Sequence, residues 1–471
     1  TALILNPPSA WVVAKRDSPA VAEKCWYAPM PAGPAGRFTP YTARVKRRLL
    51  SVLLLTTLCG HGQASPATDL FKAATSVVQQ DYYGWATADL NDLISRAART
   101  LDSECAPQAD TCPYETGRAV LKNLFETYGD AHTNVRDPEA AERLREVMED
   151  RAVPRTGART VRVDGGLLVV SIMPGSPAEE AGLRRFDLLP TVNGEEAGKR
   201  ADSNAPVGPN EFIRLERAAQ SITVTRRRAG QPDDTLQLNT APLKARDEPT
   251  LLWTGEKQDI ALIDLPSFLP SGTARRFLSV VRQARQRGAQ QLVIDLRFNG
   301  GGSLSECVTA ASVFGPVIYH AQERWGKFTY YGLKGLRGDP ATTELAVTMP
   351  ATVPDRAVWS GPAAVLVGPN TASCAEVFSH YARQAGVKIF GETTKGVGNS
   401  GVQFHDLPDG GIVAVTVLKA FDAAQRPLPD HITPDHNVPL SIPALTTLGR
   451  DTTLEAALKG LTAPIGDTQQ P

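Results

Sequence analysis

Two stretches of sequence decide the fold of the C-terminal half: DLRFNGGGSLSE at residues 295–306 and GPNTASCAEVF at residues 368–378. In each, a short apolar run (QLVIDL or AAVLV) is followed by turn residues and then by a helical pattern. Two more apolar runs, DIALIDL and VKIFGE, also alternate with helical segments. Buried strands alternating with amphipathic helices predict an α/β core with parallel strands over residues 246–462.

Two other patterns precede this core. Residues 65–155 place apolar residues at i, i+3, i+4 and i+7 in segments such as LFKAATSVVQQDYYGW and GRAVLKNLFETYG, which predicts a helical region. Residues 156–245 change to strand patterns such as TVRVDGGLLVVSIM, around one short helix, PAEEAGL. We therefore expect a β-rich domain between the helical region and the core, and a disordered polar tail at residues 463–471.

The composition excludes several function classes. The chain has 471 residues, with 50 Lys and Arg against 50 Asp and Glu, so its formal net charge is zero. Nothing in that balance favours nucleic-acid binding, which calls for a basic excess. With 42% hydrophobic and 21% charged residues, the chain reads as globular rather than disordered or membrane-embedded.

The first 64 residues read as a leader. A basic cluster is followed by an apolar run from Leu49 to Cys59 and then by small residues, which is the order of a signal peptide at residues 44–64. A helix of that run would span about 16 Å, whereas a bilayer core is about 30 Å thick. We therefore expect a periplasmic or secreted protein with no membrane span in the mature chain. Leu58 before the cysteine disfavours a lipoprotein.

Export would favour disulfide formation. Cys105 and Cys112 lie in the loop-like segment SECAPQADTCPY, where a disulfide would contribute about 2.5 kcal/mol on the chain-entropy estimate. Zinc is disfavoured because no second cysteine pair or histidine follows at ligand spacing, so we expect no metal site.

Three segments suit serine-nucleophile chemistry. Ser373 opens a helix after a strand, where the helix dipole and free backbone N–H groups stabilise developing negative charge; the alternative is a plain helix cap. The glycines of NGGG let backbone amides point into a cavity, although a plain tight turn is the alternative. A phosphate loop is disfavoured because its Lys-Ser/Thr ending is missing. His132, in YGDAHTNV, is a candidate general base.

Together these segments resemble one family. LR-x-NGGG, NTAS-x-AE, GETTKG and ITPDHNVP occur in the order typical of the tail-specific or C-terminal processing serine proteases. The stretch GGLLVVSIMPGSPAEEAGLRRFDLLPTVNGEEA resembles the PDZ domain that those proteases carry before their catalytic core. The resemblance covers about residues 67 to 445.

The resemblance implies an α/β fold in which a crotonase- or ClpP-like catalytic core carries an N-terminal helical region and an inserted PDZ domain. It makes Ser373 the nucleophile, without a metal or organic cofactor. The implied oxyanion hole uses the amide of Cys374 and one from Gly301 or Gly302. In the PDZ domain, the carboxylate of a substrate C-terminus would bind at Gly166, Leu167 and Leu168 and the peptide would add as a strand.

The base is where this sequence departs from the best-known members. Their lysine position is occupied by Val397, and Lys395 lies two residues earlier. Another branch, similar to nisin-resistance proteases and the tricorn core, uses the histidine of a D-x-H-T segment, and this chain has DAHT there. We therefore expect a Ser373–His132 dyad, with Lys395 as the alternative base. The candidates for a third, orienting group are Asp430, Asp435 and Glu376, the last of which could instead support the helix.

Cys374 follows the nucleophile directly, and the motif register makes the serine, not the thiol, the attacking group. Cys307, in the helix after NGGG, is its candidate disulfide partner. The sequence thus predicts an exported serine endopeptidase that acts on protein or peptide substrates through an acyl-enzyme. Its PDZ domain would either recruit substrates by their C-termini or inhibit the protease. The rival is a non-catalytic relative that only binds peptides or apolar ligands. The sequence predicts no oligomeric state.

Overall fold

The computed structural model describes residues 65–200, 203–245, 247–332, 335–338 and 358–462. All of them belong to one unit, Gly62–Pro471. The expected signal peptide, Cys25, Cys59 and the tail lie outside the described residues. Among the helices described, none is long and apolar enough to cross a membrane.

The N-terminal region is helical, as its periodicity predicts. Ser65 caps the first helix by accepting the N–H of Thr68 at 3.2 Å, and Asp89 caps the second. The third helix ends at Gly129, which adopts the left-handed φ of +79° that glycine tolerates. The elements are α1 (Pro66–Asp81), α2 (Leu90–Cys105), α3 (Tyr114–Tyr128), β1 (Asn134–Arg136) and α4 (Pro138–Met148).

A β-rich module follows, joined to the rest of the chain by a two-stranded ribbon in which Arg155 pairs with Ala241. Its six-stranded antiparallel sheet has the order β3-β4-β5-β7-β8, with β6 beside β5. The sequence missed its second helix, PNEFIRLERA. The elements are β2 (Ala152–Arg155), β3 (Ala158–Val163), β4 (Gly166–Ile172), α5 (Pro177–Glu180), β5 (Leu188–Val192), β6 (Glu195–Glu196), α6 (Pro209–Ala218), β7 (Ser221–Arg227), β8 (Asp234–Asn239) and β9 (Ala241–Lys244).

The expected peptide-binding position needs correction. Gly166, Leu167 and Leu168 lie in β4, which pairs with β3 on one side and β5 on the other. Both leucine side chains are completely buried. A strand with both edges paired offers no free backbone groups to an added peptide. The strands at the two ends of the sheet order are β3 and β8, so a peptide that adds as a strand has to add to one of them.

The core is built on a six-stranded sheet of order β10-β11-β12-β16-β17-β20, in which every pair is parallel except β10–β11. Its central strands are apolar on both faces because helices cover both. The elements are β10 (Thr250–Thr254), β11 (Ile260–Asp264), α7 (Thr273–Gln286), β12 (Gln291–Asp295), α8 (Leu304–Ala311), β13 (Ile318–Glu323), β14 (Gly326–Tyr331), β15 (Gly335–Gly338), β16 (Ala363–Val367), α9 (Cys374–Gln384), β17 (Lys388–Gly391), β18 (Ser400–Asp406), β19 (Ile412–Phe421), β20 (His436–Asn437), α10 (Ile442–Leu448) and α11 (Thr452–Thr462).

A second, antiparallel sheet joins the helical region to the core. Its order is β1-β19-β13-β14-β15, with β18 also on β19. Val413 and Val415 of β19 are buried against α1–α3, whereas Leu418 and Ala420, further along the strand, belong to the main core. Because β1 comes from the helical region and pairs with β19, this sheet fixes the turn before β1, which carries His132, against the core.

A buried ion network joins the β-rich module to the core. The Arg185 guanidinium contacts Asp295 Oδ2 at 2.8 Å and Asp264 Oδ1 at 3.3 Å. Arg297 binds the same Asp295 and also Asp451, at 2.6 and 2.7 Å. Burial raises the pKa of Asp295, but the two guanidiniums outweigh it and hold the pKa below its usual range. These charges lie directly before the NGGG turn.

Candidate active site

Ser373 lies in a strained turn between β16 and α9. Its φ and ψ are +53° and −120°, a combination that costs a non-glycine residue about 1–3 kcal/mol and persists only where its surroundings enforce it. The turn is held by the Ala372 N–H, which donates to Asn299 O at 3.0 Å, and by the Thr371 hydroxyl, which donates to Leu296 O at 2.8 Å. Such a sharp strand-to-helix turn presents a serine hydroxyl outward.

The Glu376 carboxylate holds this turn against the loop that follows β17. Its Oε2 accepts the N–H groups of Ser373 and Val397 at 2.7 and 3.0 Å. Its Oε1 accepts the Thr394 hydroxyl at 2.5 Å and the Gly396 N–H at 2.7 Å. Burial raises the pKa of Glu376 while the four donors oppose that shift. Glu376 thus supports Ser373 and its helix, and its oxygens are fully used.

The glycine turn packs directly on Ser373. A Cβ added to Gly301 would lie 2.8 Å from the Ser373 Cβ and 3.1 Å from the Cys374 nitrogen, so a side chain cannot fit. Asn299 orders the turn: its amide donates to Leu265 O at 2.8 Å, and its Oδ1 accepts the Gly301 N–H at 2.9 Å. The positive φ values of Gly301 and Gly302, +96° and +147°, also require glycine.

Two backbone N–H groups are free at this point. The N–H of Cys374 is in the first turn of α9, and the structure shows no acceptor for it among the described residues. Gly302 forms a parallel bridge with Phe268 through the flanking residues, so its own N–H points away from Phe268 and likewise has no described acceptor. Of the two glycines expected to donate to the oxyanion, Gly301 already donates its N–H to Asn299, whereas the N–H of Gly302 is available.

His132 lies in the turn between α3 and β1. The Asp130 carboxylate orders that turn by accepting the His132 N–H at 2.9 Å and the Thr133 N–H at 3.2 Å. It also accepts the Thr416 hydroxyl of β19 at 3.1 Å. The imidazole Nδ1 lies 2.9 Å from the Ser400 hydroxyl. With a proton on Nδ1 donated to Ser400, the lone pair of Nε2 is left for another group, and no described residue bonds that nitrogen.

Burial lowers the pKa of His132 to about 4, against the opposing charge of Asp130. The imidazole is therefore neutral near pH 7, which is the protonation state that a general base requires.

A short segment, residues 398–400, contacts Glu376 beside Ser373 at one end and the His132 imidazole at the other. Gly398 touches Glu376, since an added Cβ would lie 2.8 Å from the Glu376 Cβ. Ser400 follows only two residues later, a distance of at most about 7 Å along the chain. The structure thus brings His132 to a loop that packs against the helix of Ser373, although the two lie far apart in sequence.

The other candidates for base and orienting group lie elsewhere. Lys395 is exposed; its N–H donates to Thr371 O at 2.9 Å, and its ammonium has no described partner. The Asp430 carboxylate contacts the imidazole of His431 at 2.7 Å rather than His132. Asp435 accepts the Ile389 N–H at 2.8 Å. The group on the His132 ring is instead Ser400, which sequence reasoning missed because it lies outside every motif; the aspartate of DAHT was the available signal for Asp130.

The two cysteine pairs that the sequence suggests lie at disulfide distance among the described residues. Cys105 and Cys112 have sulfurs at bonding distance and Cα atoms 5.3 Å apart, and for Cys307 and Cys374 the Cα separation is 5.5 Å. The second pair ties the helix after the glycine turn to the helix of Ser373. Among the described residues, no group of His, Cys, Asp or Glu side chains could hold a metal ion.

Comparison with known proteins points to one family. A sequence profile of Peptidase family S41 matches residues 259–438, which include the glycine turn, Ser373 and Glu376 but not His132. The carboxy-terminal processing protease CtpA of Bacillus subtilis is 26% identical over 336 residues, 70% of this chain and 64% of CtpA. The chloroplastic carboxyl-terminal-processing peptidase 2 of Arabidopsis thaliana is 26% identical over 347 residues, 69% of this chain and 61% of the peptidase.

The chain thus spans less than two thirds of either relative. Among solved structures, the photosystem II D1 C-terminal processing protease aligns with 84% of this chain and 97% of its own, at 20% identity and a TM-score of 0.45. Residues 259–438 thus match Peptidase family S41, and the chain is similar to C-terminal processing proteases.

Proposed function

We propose that this protein is an exported serine endopeptidase that hydrolyses peptide bonds of protein or peptide substrates through an acyl-enzyme. The observation that carries the proposal is the turn at Ser373, where a strained serine, two free backbone N–H groups and a loop to a neutral histidine occur together. Backbone strain of this kind is concentrated at functional sites. Both cysteine pairs suit an oxidising compartment.

In the proposed acylation, His132 Nε2 removes the proton of the Ser373 hydroxyl while Oγ attacks the peptide carbonyl carbon. The oxygen of the tetrahedral intermediate accepts hydrogen bonds from the N–H groups of Cys374 and Gly302, and one such donor typically lowers the barrier by about 3 kcal/mol. The imidazolium returns the proton to the leaving nitrogen as the C–N bond breaks. Ser400 orients the ring by accepting Nδ1–H throughout.

Deacylation repeats these steps with water. His132 removes a proton from a water molecule, whose oxygen attacks the ester carbonyl, and the proton then returns to Ser373 Oγ as the C–O bond breaks. Half-buried and neutral, His132 is available in both half-reactions.

We also propose that the β-rich module is a PDZ domain and that the parallel sheet with its helices is a crotonase- or ClpP-like core. The module would recruit the substrate C-terminus at the edge of β3, beside α6, rather than at β4. The supporting facts are the sheet order, in which β3 has a neighbouring strand on one side, and the packing of α6 near it.

Labelling with a fluorophosphonate probe, which acylates activated serines, tests the mechanism. The mature wild-type protein is compared with Ser373→Ala, His132→Ala and Lys395→Ala. We expect labelling to be lost in the first two variants and kept in the third. Labelling that survives His132→Ala but is lost in Lys395→Ala would make the lysine the base. No labelling of the wild type would favour the non-catalytic peptide binder, a role suggested by Val397 at the usual lysine position.

A further inference from the structure

An aromatic segment lies beside the loop that orients His132. After α1, the chain crosses the middle of β19, where the Tyr83 N–H donates to Thr416 O at 2.8 Å. The indole N–H of Trp85 then donates to Asn399 O at 2.9 Å, although 37% of Trp85 stays exposed. Asn399 directly precedes Ser400. The Trp85 ring is thereby fixed next to the residue that bonds the proposed base.

Lys419 of β19 packs against the aromatic rings of this segment. Its ammonium lies 4.7 Å from the ring centroid of Trp85 and 5.1 Å from that of Tyr83. The Phe421 ring lies 5.8 Å from Trp85 and completes the aromatic surface. Cation–π contacts hold an ammonium in place without neutralising it. Within the described part of the chain, no carboxylate forms an ion pair with Lys419, so its charge is fixed and uncompensated.

The neighbouring strands add no negative charge to this face. Gln322 pairs with Lys419 across the sheet and Lys327 pairs with Gln322, so these side chains share the face. Glu323 points to the opposite face, where its charge acts on Tyr319 and Tyr330. The nearest acid after β19, Asp422, is bonded by Arg426, two of whose nitrogens donate to the carboxylate.

We propose that this face, defined by Tyr83, Trp85, Lys419 and Phe421, binds an acidic segment of the substrate polypeptide beside the scissile bond. The inference rests on the proposed peptidase function. An Asp or Glu side chain of the substrate binds there. Its carboxylate contacts the Lys419 ammonium, and neighbouring apolar groups of the substrate pack on the aromatic rings. The positive charge of Lys419 complements an acidic side chain. Trp85 bonds Asn399, and the next residue, Ser400, contacts the His132 imidazole. A specificity for acidic substrate segments follows.

Matched peptides measure this specificity. Synthetic peptides carrying one Glu at successive distances from a cleaved bond are compared with the same peptides carrying Gln, and kcat/KM is determined for each. We expect the wild type to prefer the Glu peptide about tenfold at its best position, as a charge-assisted contact predicts. Lys419→Gln should abolish the preference by lowering the rate on the Glu peptide, whereas Lys419→Arg should retain it.

The control is Lys257→Gln. Lys257 is an exposed lysine in the turn between β10 and β11, at the opposite end of the parallel strands from Ser373. This variant removes the same charge and should keep the wild-type preference. Equal rates on both peptides in the wild type, or a preference that persists in Lys419→Gln, would overturn the inference. So would a preference for a free C-terminal carboxylate over its amide with none for Glu.

A binding measurement separates this inference from the catalytic proposal. Fluorescein-labelled Glu and Gln peptides are titrated with the Ser373→Ala variant, with and without Lys419→Gln, and anisotropy gives each Kd. We expect about tenfold tighter binding of the Glu peptide, lost with Lys419→Gln and weakened by salt. A wild type that shows this difference but hydrolyses nothing would refute the peptidase proposal and support the binding face; equal Kd values would refute the face.

Discussion

Replacing Glu376 by Gln tests the support of the Ser373 turn. Both carboxylate oxygens accept two donors each: Oε1 accepts Thr394 and Gly396, and Oε2 accepts Ser373 and Val397. An amide keeps one oxygen and replaces the other by NH2, which cannot accept. We expect the NH2 to take the Oε1 position, because the Thr394 hydroxyl can turn and accept from it while the Gly396 N–H cannot.

The cost follows from that rearrangement. The Gly396 N–H loses a bond to a charged acceptor, about 1.5–3 kcal/mol, and the two bonds at the retained oxygen weaken from charged to neutral. We therefore expect Glu376→Gln to lower the free energy of unfolding by about 3 kcal/mol. That is a large share of the roughly 5–15 kcal/mol that stabilises a typical domain. Fluorophosphonate labelling of Ser373 should slow because its strained conformation is less firmly held.

Urea denaturation, followed by circular dichroism, measures this loss, and Glu216→Gln is the matched control. Glu216 is also buried, with a pKa raised by burial, but both of its bonds, from the Thr156 N–H and hydroxyl, go to Oε1 alone. A glutamine can supply that oxygen, so the control should lose about 1 kcal/mol or less. Both substitutions also remove a buried carboxylate charge, so the stability gained from that removal is common to the two variants. Equal losses, or a loss below about 1 kcal/mol for Glu376→Gln, would refute the reasoning.

Three further outcomes are expected. Because burial lowers the pKa of His132 to about 4, kcat/KM should stay level from about pH 8 to about pH 5 and fall only near the pKa; a profile already halved at pH 6.5 would contradict a buried histidine base. Arg185→Met removes a buried partner of Asp264 and Asp295 and should lower the free energy of unfolding, measured in denaturant, by about 3–5 kcal/mol. A loss of under about 1 kcal/mol would contradict this expectation. Thiol titration of the denatured mature protein should find no free thiol before reduction, whereas two would show that one of the two disulfides is absent and four that both are.

The turn at Ser373 and the glycine turn could be predicted because they follow from local pattern. An apolar run such as AAVLV, at 363–367, indicates a buried strand, and the polar residues and helical pattern after it fix where the chain turns. The helices α1–α3 follow in the same way from their periodicity. The free N–H groups at the start of α9 come with any helix.

The antiparallel sheet and the partner of His132 depend on pairings between distant parts of the chain. The register of β1 on β19 joins residues 134–136 to 412–414, and no local pattern encodes it. Ser400 contacts His132 only because the loop after β17, which packs on Glu376, leads into β18. Helix α6 was missed because its short amphipathic pattern lies in a β-rich region, where Phe212 and Glu216 are the residues it buries.

The ribbon of β2 and β9 has a consequence for how this chain can be rebuilt. Arg155 and Ala241 face each other as neighbours in an antiparallel pair, about 5 Å apart between Cα atoms, so a tight turn could close the chain without residues 156–240. A protein in which residues 156–240 are deleted or exchanged would therefore keep the rest of its backbone in place. Arg185 limits that freedom, because its removal leaves the buried carboxylate of Asp264 without its ion-pair partner, whereas Asp295 keeps Arg297. A viable shortened chain would need a neutral residue in place of Asp264.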